Sequence, residues 1–84
     1  MNAHDARVLL DRLLDGIAPE VDLSDADPHA LLQDAFDLDS MDFLNLVTAL
    51  HAATGIEVPE RDYPRLASIE GFVSYVVAAS EAGP

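Results

Sequence analysis

The stretch Asp37-Leu38-Asp39-Ser40-Met41-Asp42-Phe43-Leu44-Asn45-Leu46-Val47-Thr48-Ala49-Leu50 decides how this chain folds. Asp39 is placed to cap a helix from outside, and Asp42, three residues on, is placed to reach back to it, so Ser40 falls in the first turn. The spacing predicts a helix from Ser40 to Thr54 that stops at Gly55. At the helical period, Phe43, Leu46, Val47, Leu50 and Thr54 gather within an arc of about 100° and form the core face. Met41, Leu44, Asn45, Thr48, His51 and Ala52 lie opposite. Two sizeable apolar residues, Met41 and Leu44, thus point outward just after Ser40, where another part of the fold or a partner would have to cover them.

Working outward, three further segments read as helical and none alternates as a strand. Asn2 caps the first, with Asp5 as a short-armed capping box, and Ala6, Leu9, Leu10, Leu13 and Ile17 build its apolar stripe. Gly16 and Pro19 end it. Residues 18–39 read as a long Asp-rich loop, which Leu31, Leu32 and Phe36 tuck onto the core through a short helical turn. A structureless loop of that length is uncommon in a compact domain and is often functional. After Gly55, Val58-Pro59 marks an extended link, and Glu60 to Arg65 allows a brief helix interrupted by Pro64. Ser68 caps the last helix, whose stripe is Ile69, Phe72, Val73 and Val76, and the tail from Ser80 to Pro84 is expected to fray. The fold class is therefore all-α, a four-helix bundle of three long helices and one short one, in a single domain spanning residues 1–84.

Composition narrows the function. Half of the 84 residues are apolar, too many for a disordered acidic tail. Sixteen acidic residues against four basic ones give a formal charge of −12. All four basic residues are arginines, Arg7, Arg12, Arg61 and Arg65, so the span from Leu13 to Glu60 holds 11 carboxylates and no cation. Such a chain is unsuited to nucleic acid or anionic lipid, which are polyanions, and suited to basic partners. Any single Asp is more simply a solvated surface group than a ligand. No apolar run is long enough to span a membrane, and the N-terminus lacks the pattern of a secretory signal. Without Cys there is no disulfide, thiolate metal site or Cys nucleophile, which is compatible with a cytoplasmic location.

Patterns for ordinary catalysis are missing. There is no Gly-x-Ser-x-Gly elbow, no Gly-rich phosphate loop and no His-Glu-x-x-His. His4, His29 and His51 share no ligand spacing, and no Asp-rich window has the Gly and Glu of a calcium hand. No catalytic or metal-ligating residue is assigned, although loosely clustered carboxylates could hold divalent ions weakly.

Asp39-Ser40-Met41 resembles the Asp-Ser-Leu signature of acyl carrier proteins, the small acidic helical bundles that carry a 4′-phosphopantetheine arm. An acidic loop leading into Leu38-Asp39-Ser40, the Gly55-Ile56-Glu57-Val58-Pro59 link, and the last helix with Ser68-Ile69 and Tyr75-Val76 are similar to the family in the same order. The likeness covers residues 3–79. It implies that Ser40 is the acceptor of phosphopantetheine, moved from coenzyme A by a separate phosphopantetheinyl transferase, and that the chain is not an enzyme. An acyl or aminoacyl group would hang as a thioester from the arm, loaded by a ligase and passed to synthases or transferases with basic docking surfaces. Asp39, Met41, Asp42, Leu44 and Thr48 would then meet those partners.

The chain departs from the family pattern in three places. Asp37 stands where the family often has Gly, Met41 replaces Leu, and the outward helix face carries Asn45, Thr48, His51 and Ala52 where fatty-acid carriers are commonly Glu-rich. A free-standing carrier is expected, with fatty-acid, polyketide or nonribosomal peptide biosynthesis as its setting, and the third departure favours a specialised role. The competing expectation is an unmodified acidic helical adaptor, which would have no need of a hydroxyl at Ser40.

Overall fold

The computed structural model describes residues 1–82. Helix α1 spans Ala3–Asp15, α2 Leu32–Ala35, α3 Ser40–Thr54 and α4 Ile69–Ala82. Two 3-10 segments, Leu23–Asp25 and Glu60–Leu66, complete the order. The expected all-α bundle is present: α1, α3 and α4 are the long helices and Glu60–Leu66 is the short one. α1 packs against both α4 and α3, and the 3-10 helix Glu60–Leu66 packs on α4.

Local signals set the long helices. The Asn2 side chain accepts the Asp5 amide at the start of α1, with Arg12 in its last turn. Helix α3 ends where Gly55 adopts φ 76° and donates to the His51 carbonyl, a left-handed cap that a residue with a Cβ adopts only at a cost. The Ser68 hydroxyl accepts the Gly71 amide at the start of α4.

The core is a single cluster in which Leu10, Leu14, Leu32, Leu46, Leu50, Leu66, Phe72 and Val76 are essentially inaccessible. Four expectations need correction. In α1 the fully buried positions step by four through Ala6, Leu10 and Leu14, so Leu14 joins the expected stripe, while Leu13 packs half-buried on the core and Ile17 does so from beyond the helix end. Leu31 is 52% exposed and does not tuck in. Its extended backbone bridges to Ser68, and the alternation that buries Leu32 turns Leu31 out. The loop from 18 to 39 is also less structureless than expected, being broken by Leu23–Asp25 and by α2. Lastly, Ser80 does not fray. It lies in α4, where its hydroxyl donates to the Val77 carbonyl and accepts from the N-terminal ammonium of Met1. The expected fraying of Gly83 and Pro84 lies outside the described residues.

Backbone hydrogen bonds hold the loop onto the bundle. The Leu32 amide donates to the Ala67 carbonyl at 2.7 Å, the Glu70 amide to the Pro28 carbonyl at 3.0 Å, and Arg7 reaches the Leu23 carbonyl at 3.0 Å. The Glu70 amide belongs to the first turn of α4, which has no acceptor inside the helix, so the loop supplies one.

Candidate functional site

The chain approaches α3 through a tight reversal. Asp37 has φ 56°, the one non-glycine residue in left-handed conformation among those described. This is the position at which the resembled family often has Gly, and Asp is one of the few other residues that tolerate it. Leu38 follows, buried, with its amide bonded to the Gln33 carbonyl, so the reversal is anchored on both sides.

Asp39 then caps α3 in extended conformation, and the capping box is complete. Its carboxylate accepts the Asp42 amide at 2.8 Å, and the Asp42 carboxylate accepts the Asp39 amide at 3.2 Å. Capping of this kind contributes typically about 1 kcal/mol. Ser40 is consequently fixed as the first helical residue, with its side chain exposed. The Ser40 and Met41 amides lie before any acceptor inside the helix and form part of the positive end of its dipole.

The remaining sequence candidates fall where the helical phase places them. Phe43, Leu46, Val47 and Leu50 are buried; Met41 is 66% exposed, Leu44 42%, and Thr48, Asn45, His51 and Ala52 are on the surface. Asp39 is exposed and Asp42 is half-buried. Thr54 is half-buried, and its hydroxyl donates to the Leu50 carbonyl while accepting the Ile56 amide. Beside Ser40, between α3 and the 3-10 helix, runs a groove of about 360 Å³ lined in part by Phe43, Leu44, Tyr63 and Ala67. Phe43 and Tyr63 meet edge to face at 5.9 Å across it.

Among the described residues no group of three or more His, Asp or Glu is gathered as a metal would require. Among the described residues the acidic loop therefore gathers no such cluster of carboxylates. One loop carboxyl, Asp22, is held below its usual value because it accepts from both the hydroxyl and the amide of Ser24.

One supporting network escaped sequence reasoning. Tyr75 donates to Asp62 at 2.9 Å, and the Arg65 guanidinium lies 4.8 Å over the Tyr75 ring, which clamps the 3-10 helix to α4. Burial, and then the bond to Asp62, push the Tyr75 hydroxyl above its ordinary value. The available signal was a Tyr on a core stripe, since a buried phenol requires a polar partner.

The fold is thus a small helical bundle with an exposed serine at the capped start of an amphipathic helix. Residues 11–76 match the family described as the phosphopantetheine attachment site. The chain is also 33% identical over 57 residues to the acyl carrier protein of Rubrobacter xylanophilus, an overlap covering 68% of this chain and 70% of that relative. The chain belongs to the acyl carrier protein family: it is a carrier, not an enzyme, and its group is covalent 4′-phosphopantetheine. Membership implies interaction with a phosphopantetheinyl transferase and with synthases. Among the described residues no helix is long and apolar enough to cross a membrane.

Proposed function

We propose that this chain forms one carrier domain that works in the cytoplasm, with 4′-phosphopantetheine attached to Ser40. The observation that carries this reading is the exposed Ser40 side chain at the first position of α3, beside two amides without intrahelical acceptors. The hydroxyl oxygen bonds to the phosphorus that carries the pantetheine arm, the pyrophosphate P–O bond of coenzyme A breaks, adenosine 3′,5′-bisphosphate leaves, and the hydroxyl proton passes to a base of the transferase. The arm supplies a terminal thiol that holds cargo as a thioester, and this chain has no Cys to compete for it.

Everything else the chain does here is electrostatics and placement. The helix start stabilises the new phosphodiester by about 0.3–1 kcal/mol, while the carboxylates of Asp37, Asp39 and Asp42 oppose it. The arm is therefore held at its root but not drawn down onto the surface. The same carboxylates offer charge to basic rims on the transferase and on the loading ligase, and Met41, Leu44 and Thr48 supply uncharged contact next to the serine. The uncharged outward face of α3 supports a role in polyketide or nonribosomal peptide assembly over housekeeping fatty-acid synthesis.

Intact mass after incubation with coenzyme A and a broad-specificity phosphopantetheinyl transferase tests the proposal. The wild type is expected to gain one phosphopantetheine and Ser40→Ala none. A wild type left unmodified by several transferases would sink it.

A further inference from the structure

An alkyl chain hung on a mobile arm in water gains by burying each of its methylenes, so it is drawn to the nearest apolar cleft that can take it. Beside Ser40 that cleft is the groove of about 360 Å³ between α3 and the 3-10 helix Glu60–Leu66. Aromatic rings close it. Phe43, buried, and Tyr63, half-buried, come from opposite walls and meet edge to face, with ring centroids 5.9 Å apart and planes at 71°. Both residues line the groove on one side and pack with the core cluster on the other. One turn further on, Leu46 on α3 and Leu66 on the 3-10 helix are essentially inaccessible.

To let a chain past the rings, the 3-10 helix would have to move off α4, and two contacts hold it there. Tyr75 donates to Asp62 beneath the Arg65 guanidinium, and the Arg65 carbonyl lies against Gly71, where a Cβ would not fit. Outside the rings the groove is partly polar, since Gln33 and Glu60 belong to its lining. An alkyl chain laid there would take water from the Glu60 carboxylate and return no hydrogen bond for it, which is unfavourable.

We propose that Phe43 and Tyr63 form a stopper that keeps an alkyl chain out of the bundle and so selects against long aliphatic cargo. The groups this carrier suits are short or polar, acyl or aminoacyl, and need no cover from water. The inference rests on the carrier reading given above and adds to it the class of cargo. Phe43 and Tyr63 set specificity and take no part in the chemistry at Ser40.

Two cargoes on one protein test this. A broad-specificity transferase given acetyl- or octanoyl-coenzyme A installs the acylated arm in one step; circular dichroism then gives the Tm of each form, and intact mass follows thioester hydrolysis. The wild type is expected to melt alike in both forms and to lose both cargoes at similar rates. Tyr63→Ala removes one ring, and its octanoyl form is expected to melt about 5 °C or more above its own acetyl form and to hydrolyse severalfold more slowly. Phe43→Leu, which keeps an apolar side chain in the core and removes the other ring, should shift in the same direction. Each variant is compared with itself, so stability lost through the substitution cancels. A wild type whose octanoyl form already melts higher and resists hydrolysis overturns the stopper. Folded variants that treat the two cargoes as the wild type does overturn it equally. If Tyr63→Ala does not fold, Phe43→Leu decides. If the wild type takes no arm even from coenzyme A itself, the carrier reading fails and this inference fails with it.

Discussion

Gly71, in the first turn of α4, is where helix propensity and packing give opposite answers. Replacing an interior helical glycine by alanine ordinarily stabilises by about 0.8–1.0 kcal/mol. Here the added Cβ would sit 2.2 Å from the Arg65 backbone carbonyl oxygen and 3.1 Å from the Ser68 hydroxyl, which already accepts the Gly71 amide. Real contacts of this kind do not fall below 3.0 Å, so the two backbones would have to part by most of an ångström. The obstacle is main chain at the end of the 3-10 helix and cannot step aside as a side chain would. Overpacking costs about 1–3 kcal/mol, and an unyielding neighbour places it at the upper end. Setting about 1 kcal/mol of propensity against about 3 leaves a net loss near 2 kcal/mol. At about 4–8 °C per kcal/mol for a domain of this size, Gly71→Ala should melt about 8–16 °C below wild type by circular dichroism. Gly16→Ala is the control. Its Cβ would meet only the Leu13 carbonyl at 3.6 Å, with φ at −77°, so it should melt slightly higher than wild type. A Gly71→Ala protein as stable as wild type would show that the 3-10 helix is not seated against α4 as described.

Four further outcomes are expected. Asp37→Gly should raise Tm by a few degrees and Asp37→Val lower it, because the left-handed position costs a β-branched residue of the order of 1–2 kcal/mol; equal Tm values would remove backbone conformation as the reason for the family's glycine. Tyr75 has a raised value when folded, so its contribution is full below the ordinary tyrosine value near 10 and is lost as pH rises through the folded value; Tyr75→Phe should lower Tm at neutral pH and flatten the alkaline decline, measured by melting from pH about 8 to 12. Leu44→Glu should melt close to wild type but load more slowly, whereas Leu46→Ala should lose about 2–5 kcal/mol; unfolding by both would place Leu44 in the core. Salt should raise Tm by screening self-repulsion, and magnesium should do no more than sodium chloride of matched ionic strength, since no carboxylate cluster is formed among the described residues; an extra rise in magnesium would reveal one.

Much of this could be read from the chain because the relevant signals were local. The limits of α3 follow from Asp39, Asp42 and Gly55, each acting within four residues of the helix end it sets, and the phase separating Leu46 from Leu44 needs only the helical period. The exposure of Ser40 follows from the same two facts. Where the reading failed, a distant residue decided. Leu31 and Leu32 are equivalent by composition, and only the bridge to Ser68 determines which one faces inward. Ser80 is ordered by the N-terminus across the fold. Asp37 signals no reversal by itself, and the Tyr75 clamp joins residues 13 positions apart through an irregular segment.

The hydrogen bonds that join the loop to α4 bear on how the molecule opens. The amides of Leu32 and Glu70 are bonded across one junction, so neither can exchange with deuterium until both sides separate. A proton in a segment that composition marks as loop should therefore share the slow exchange of a core helix, as part of one cooperative unit. The amides of Ser40 and Met41 have no acceptor in their helix and need no such opening. Fast and slow exchange then lie a few residues apart along the chain. The proposed attachment serine stays accessible to solvent while the bundle beneath it remains closed.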